Sequence, residues 1–83
     1  MLDVDAPKII SKMQKERDVE GLVKVLKLDL KDGYVAWAAT KLGEIGDGRA
    51  VGPLISALRD TNWRVREGAE EALIEIRGAI AAT

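Results

Sequence analysis

The sequence predicts an all-α fold, an α–α superhelix (solenoid) assembled from helical hairpins, with about five helices and roughly two and a half repeats. Three observations predict it. Apolar residues recur at helical spacing, and one such pattern returns 32 positions further along the chain. Hydrophobic residues make up 47% of the chain, yet no sustained alternating strand pattern is present. The 83 residues suffice for one domain, residues 1–83.

The composition restricts the function. The chain has neither Cys nor His, which removes disulfides, thiolate nucleophiles, imidazole bases and ordinary zinc sites. We therefore expect no enzyme, no metal site and no cofactor. The 13 basic and 14 acidic residues give a net charge of −1, which disfavours nucleic-acid binding. No apolar run reaches the roughly 20 residues of a membrane span, and no signal-peptide pattern opens the chain, so we predict a cytoplasmic protein without a membrane partner.

The first predicted helix covers about residues 6–15 and follows a short frayed lead-in. Asp5 is suited to cap this helix, with Ala6 and Pro7 in its first turn, where a proline leaves no hydrogen bond unmade. Three lysines at i, i+4 and i+7 form a basic stripe, which we interpret as a solvated face: Lys8, Lys12 and Lys15.

An internal repeat links the second predicted helix, about residues 18–27, to the fourth, about residues 49–59. We expect both helices to turn four matching residues toward the core. Val19, Leu22, Val23 and Leu26 recur 32 positions later as Val51, Leu54, Ile55 and Leu58. The segment Lys27 to Asp32 is predicted to connect two helices, with Leu28 and Leu30 covering helix ends; a strand there would have no partner.

The third and fifth predicted helices, about residues 33–45 and 63–77, are related at an offset of 31. Ala38, Leu42 and Ile45 match Ala69, Leu73 and Ile76. This alignment pairs Tyr34 with Val65, whereas a competing one pairs Val35 with Val65 and deletes one residue later. Asn62 is suited to cap the fifth helix, and Gly78 marks where it could end before a frayed tail.

A tight turn joins the third helix to the fourth. Gly46 can adopt the left-handed conformation that commonly ends a helix. Asp47 can accept hydrogen bonds from free N–H groups of the next segment, and Pro53 belongs in the first turn of the fourth helix. We therefore predict an antiparallel helical hairpin. Gly43, Gly46 and Gly48 lack the spacing of a phosphate-binding loop, so helix turning explains them better.

The stretch LGEIGDGRAVGPLISALRD, residues 42–60, together with Val65–Arg66 and the alanines that follow, resembles the short HEAT-like repeats of the bilin-lyase type. Small archaeal and cyanobacterial HEAT-repeat proteins carry such repeats. The resemblance is close from Tyr34 to Ile76, looser from Val19 to Leu26 and faint in the first helix. It implies a solenoid fold but no particular activity.

The sequence departs from the family pattern in three ways. Lys41 stands where the family usually has Ala, and Val35 stands where it usually has Arg. Recognisable polar end caps are missing. Either the first helix serves as a cap, or another chain buries an end face.

The resemblance implies that the second helix of each hairpin lines a concave surface, and that residues between its core positions contact partners. The matching residues are Ala36, Trp37 and Thr40 on the third helix, with Glu67, Gly68 and Glu71 on the fifth. Trp63 sits just before the body of the fifth helix, beside Arg64, and we expect these two residues to contact partners as well. Trp37 is either an anchor in a partner's pocket or a wedge between helices. Trp63 either contacts a partner or packs on the preceding turn. The stripe Glu67, Glu71 and Glu75 is interpreted as a solvated face, since carboxylates alone on one helix bind cations weakly.

We predict a non-enzymatic protein–protein interaction scaffold that binds another protein on its concave face. The alternative is a structural module that self-associates into a homo-oligomer through uncapped ends, or a small non-catalytic subunit of a larger complex, including a bilin-lyase-like assembly. The lysine stripe of the first helix and the glutamate stripe of the fifth could make two such ends complementary. Catalysis by this chain alone is disfavoured. The di-iron hydroxylase of the repeat superfamily that this sequence resembles needs His–Glu ligand pairs, and this chain has no His. Only the lysine stripe supports a nucleic-acid partner.

Overall fold

The computed structural model describes residues 2–28 and 33–82, with residues 2–5 described by their backbone alone. They form five α-helices: α1 (Leu2–Lys15), α2 (Val19–Leu26), α3 (Tyr34–Ile45), α4 (Val51–Ala57) and α5 (Trp63–Ala82). A 3-10 turn, Gly48–Ala50, leads into α4, and no strand occurs in the described ranges. The all-α prediction is confirmed. Leu30 and the middle of the predicted connection, residues 29–32, lie outside the described residues.

The helices are arranged in two layers. α2 packs against α3, and α4 packs against α5, so each pair forms a hairpin. α3 and α5 share the most extensive helix contact, while α1 packs on α2 and α3. One layer therefore contains α1, α3 and α5 side by side, and the other contains α2 and α4. The Cα atoms span 40 × 28 × 14 Å, which is the thickness of two helices in the shortest direction.

An apolar core lies between the two layers. Each helix contributes one of the largest fully buried side chains: Ile10, Leu22, Leu42, Leu54 and Ile76. No polar or charged side chain is buried among the residues described. Because burial of one aliphatic side chain contributes about 1.5–3 kcal/mol, this core is the main favourable term in folding.

The turns follow the local signals in the sequence. Gly46 ends α3 with a φ of 75°. Asp47 Oδ1 accepts a hydrogen bond of 2.8 Å from the backbone N–H of Arg49, whose side chain also donates to this carboxylate and holds the pKa of Asp47 below its usual range. Asn62 Oδ1 accepts a hydrogen bond of 2.9 Å from the N–H of Arg64 at the start of α5. The predicted roles of Gly46, Asp47 and Asn62 are confirmed.

Two helices extend further than predicted. α1 begins at Leu2 rather than at about residue 6, so Asp5 and Pro7 lie inside the helix and not at its start. α5 continues to Ala82 rather than ending at about residue 77. Gly78 does not end α5, because the residues after it are mostly alanines, which favour helix.

Only part of the predicted inner face of α4 is buried. Leu54 is fully buried, but Ile55 is 50% exposed and Leu58 is 37% exposed. Ala57 is buried instead, because it faces α2 across a groove that Leu26 also lines. The side of α4 that carries Ile55 and Leu58 points away from α2.

The repeat also includes α1. Its inner residues lie 32 positions before those of α3: Ala6, Ile10 and Met13 precede Ala38, Leu42 and Ile45. Ala6 and Ile10 are buried, and Met13 packs against the core. α1 therefore occupies the place of a second hairpin helix, like α3 and α5.

α3 and α5 approach so closely that a side chain on Gly43 would not fit. A Cβ atom at Gly43 would lie 2.7 Å from the Cα atom of Ala72. We expect Gly43→Ala to lower the free energy of unfolding by about 1–3 kcal/mol, because the α5 backbone must move away. Urea denaturation followed by circular dichroism measures the change.

Gly78→Ala is the matched control for this substitution. It also lies in a helix, α5, but it is exposed, and a Cβ atom there meets nothing within 4 Å. We expect this variant to gain about 0.5–1 kcal/mol, because alanine restricts the unfolded chain and favours helix. A Gly43→Ala variant as stable as the wild type would contradict the close packing of α3 and α5.

Candidate protein-binding surface

The candidate surface lies on the outer side of the layer formed by α1, α3 and α5. Two contacts align the C-terminal ends of α1 and α3. The Gln14 side-chain amide donates a hydrogen bond to the Glu44 carboxylate. Arg17, just after α1, donates a hydrogen bond of 3.1 Å from Nη2 to the carbonyl oxygen of Ile45. These contacts hold α1 beside α3.

Small residues hold α5 on the other side of α3. A Cβ atom on Gly68 would lie 3.0 Å from the carbonyl oxygen of Ala36 and 3.5 Å from the Cβ atom of Ala39. Gly68 is itself buried. It therefore contacts α3 and cannot serve as one of the predicted partner contacts.

Residues two positions before and after a buried residue lie on the opposite side of a helix, since each residue turns by about 100°. The buried residues Ile10, Ala38 and Ala69 each have such flanking residues. Helical geometry directs these to the outer side of the layer, with Ala36 at the border toward Gly68 of α5. We define the second-helix surface as these six flanking residues: Lys8 and Lys12 on α1, Ala36 and Thr40 on α3, and Glu67 and Glu71 on α5.

The second-helix surface is basic at one edge and acidic at the other. The lysines of α1 and the glutamates of α5 are exposed, while α3 between them contributes no charge to this set. Helices that pack side by side are about 8–10 Å apart, so the two charged edges are separated by about 16–20 Å. The two stripes therefore share one side of the molecule and do not form opposite ends of it.

Trp37 lies on the flank of α3 beside this surface. Its ring is partly buried and packs against the core, and the Lys41 ammonium lies 5.4 Å from the ring centroid. Lys41 Nζ also lies 3.5 Å from Glu44 Oε1. Lys41 and Glu44 were not among the predicted contact residues, although the i+4 spacing of Trp37 and Lys41 is a signal that two side chains can meet.

The remaining predicted residues occupy the edge and the centre of the surface. Trp63 is 56% exposed, and the Arg64 guanidinium carbon lies 5.1 Å from its ring centroid. Trp63 lies one helical turn before Glu67, so it borders the acidic edge. Thr40 Oγ1 donates a hydrogen bond of 3.1 Å to the carbonyl oxygen of Ala36, which orients the threonine methyl and hydroxyl groups at the centre.

Among the side chains of residues 6–28 and 33–82, no group of three or more Asp or Glu is arranged to hold a metal ion. None of the helices in these ranges is both long and apolar enough to cross a membrane.

A family model described as HEAT repeats matches residues 19–83. The match covers α2 to α5, the two hairpins whose turn and packing are described above. Neither the curated proteins nor the solved structures contain a significant match to this chain. Because the family model covers more than half of the sequence, the chain belongs to the HEAT repeat family.

Proposed function

We propose that this chain is a non-enzymatic scaffold that binds a partner protein across the second-helix surface. HEAT repeats generally mediate protein–protein interactions and are typically non-catalytic. The absence of Cys and His from the sequence supports the same conclusion, because it removes the commonest nucleophiles and bases.

The observation that carries the proposal is the opposite charge of the two edges of the surface. Lys8 and Lys12 have no ion pair among the described residues, and neither do Glu67 and Glu71. Exposed charges of this kind contribute little to folding stability. In an encounter with another protein, however, complementary charges determine orientation and accelerate association.

The partner that fits is a helix that crosses the layer from α1 to α5. Its acidic end would face Lys8 and Lys12, and its basic end would face Glu67 and Glu71. The distance of about 20 Å corresponds to about 13 residues of α-helix. Acidic N-terminal and basic C-terminal turns also suit the helix macrodipole, which favours the helical form of such a segment.

The centre of the surface suits close contact. Ala36 and Thr40 are small, which lets a partner backbone approach α3. Trp37 and Trp63 supply aromatic area beside this path, and tryptophan is enriched among the residues that dominate binding energy. Trp63 is the more accessible of the two rings, because Trp37 is held against the core.

Two synthetic peptides of about 20 residues and identical composition test the charge pattern. One carries its acidic residues at the N-terminal end and its basic residues at the C-terminal end; the other alternates them. We expect the polarised peptide to bind at least about tenfold more tightly at low salt, equivalent to about 1.4 kcal/mol, because only it matches both edges. Isothermal titration calorimetry of the wild-type chain measures both affinities.

Added salt is the internal control for this titration. The preference should shrink as ionic strength rises from about 0.05 M to about 0.5 M, because exposed charges are screened. Equal affinities for the two peptides at low salt, or no binding of either, would refute the proposed partner.

Blocking the centre of the surface should reduce binding of the polarised peptide. We expect Thr40→Arg to weaken it at least about tenfold, because a long side chain on α3 would keep the peptide away from the two charged edges. Ser56→Arg is the matched control, since Ser56 is exposed on α4 in the other layer. Isothermal titration calorimetry compares the variants. Equal losses in both would show that the added charge, and not its position, causes the effect.

A further inference from the structure

A second exposed apolar surface lies beyond α4 and α5, on the side away from α2 and α3. Val51, Ile55 and Leu58 lie along one side of α4 at i, i+4 and i+7, and Ile55 is 50% exposed. On α5, Leu73 is partly buried on this side, and Ile74, 64% exposed, lies at the border between this side and the outer side of the layer. A groove of about 440 Å³ separates the two helices here, lined by Val51, Leu73, Ile76, Arg77, Ile80 and Ala81. We define the end surface as Val51, Ile55, Leu58, Leu73 and Ile74.

The matching residues of the first hairpin show what such a surface does. Val19, Val23 and Leu26 precede Val51, Ile55 and Leu58 by 32 positions. Val19 is buried, and Val23 and Leu26 are partly buried against the core. The second hairpin covers this side, since Leu26 shares a groove with Pro53 and Ala57 of α4. In the first hairpin these positions therefore contact the second hairpin, whereas in the second hairpin they are partly or largely exposed.

The end surface is not built to receive another hairpin in the way that α3 receives α5. α3 meets α5 through Ala39 and Gly43, and the residues 31 positions later are Glu70 and Ile74. A Cβ atom at Gly43 would already lie 2.9 Å from the Cβ atom of Ala72. A glutamate and an isoleucine at these positions require a wider spacing between helices. The occupant must therefore pack on α5 with longer side chains between the two helices.

We propose that the end surface is the interface of a two-fold symmetric dimer with a second copy of this chain. Its charges are self-complementary about a point between Leu73 and Ile74, midway between Glu70 and Arg77. Two α5 helices that run antiparallel about this point place Glu70 of each copy opposite Arg77 of the other. Both residues are exposed, and neither has an ion pair in the described part of the chain. A closed two-fold interface requires this arrangement, in which one patch complements itself.

Sedimentation equilibrium of the full chain tests the proposal over concentrations from about 1 μM to about 1 mM. We expect a monomer–dimer equilibrium. Ile74→Asp should raise the dimer dissociation constant at least tenfold while leaving the circular dichroism spectrum unchanged, because Ile74 is exposed in the monomer. Glu70→Arg should also raise it, and adding Arg77→Glu to that variant should restore the wild-type value, because the pair is then reversed on both copies.

Ile9→Asp is the matched control, because Ile9 is an exposed isoleucine of α1, 39% accessible and far from the end surface. It should leave the dissociation constant unchanged. A strict monomer at about 1 mM, open-ended oligomers, or a dimer insensitive to both Ile74→Asp and Glu70→Arg would overturn the proposal. Loss of the dimer in the Ile9→Asp variant would overturn it as well. These outcomes are independent of peptide binding at the second-helix surface.

Discussion

The close contact between α3 and α5 is the constraint on which the rest of the structure depends. It exists because Gly43 and Gly68 have no side chains where the two helices meet, so that Ala72 of α5 can approach Gly43 and the backbone of Ala36 can approach Gly68. A helix pair held at this distance has little freedom to rotate or slide, since any shift brings Cβ atoms into collision. The orientation of α5 about its own axis is thereby determined, and with it the direction of every side chain that α5 exposes.

This constraint brings together side chains that are far apart in the sequence. α5 turns Ala69 and Ile76 to the core, so Glu67 and Glu71 must point outward. α1 is held on the other side of α3 by Gln14 and Arg17, which turns its lysines in the same direction. The charge separation across the surface is therefore a consequence of helix packing. Neither the lysine stripe nor the glutamate stripe alone produces this charge separation, because each by itself is an ordinary solvated helix face.

The sequence predicts well what depends on neighbouring residues and less well what depends on neighbouring helices. Gly46, Asp47 and Asn62 act as predicted, because turns and caps involve residues only a few positions apart. The burial of Ala57 in place of Ile55 depends on where α2 lies, which helical periodicity does not specify. Likewise, Gly78 could mark a helix end only if the next residues disfavoured helix, and they do not. The lysine and glutamate stripes can be recognised in the sequence, but only the packing of α1, α3 and α5 places them on the same side of the molecule.

The two surfaces share α5, and this relates the two proposals. A two-fold axis between antiparallel α5 helices runs perpendicular to the layer, so the second-helix surfaces of both copies would face the same side. Glu67 and Glu71 of both copies would then lie near the centre of the dimer, with Lys8 and Lys12 at its two outer edges. The like charges at the centre oppose association. The pairing of Glu70 with Arg77 and the burial of Ile55 and Ile74 in the dimer interface favour it. A partner with a basic middle and acidic ends would relieve the central repulsion, so binding of that partner and dimer formation would strengthen each other.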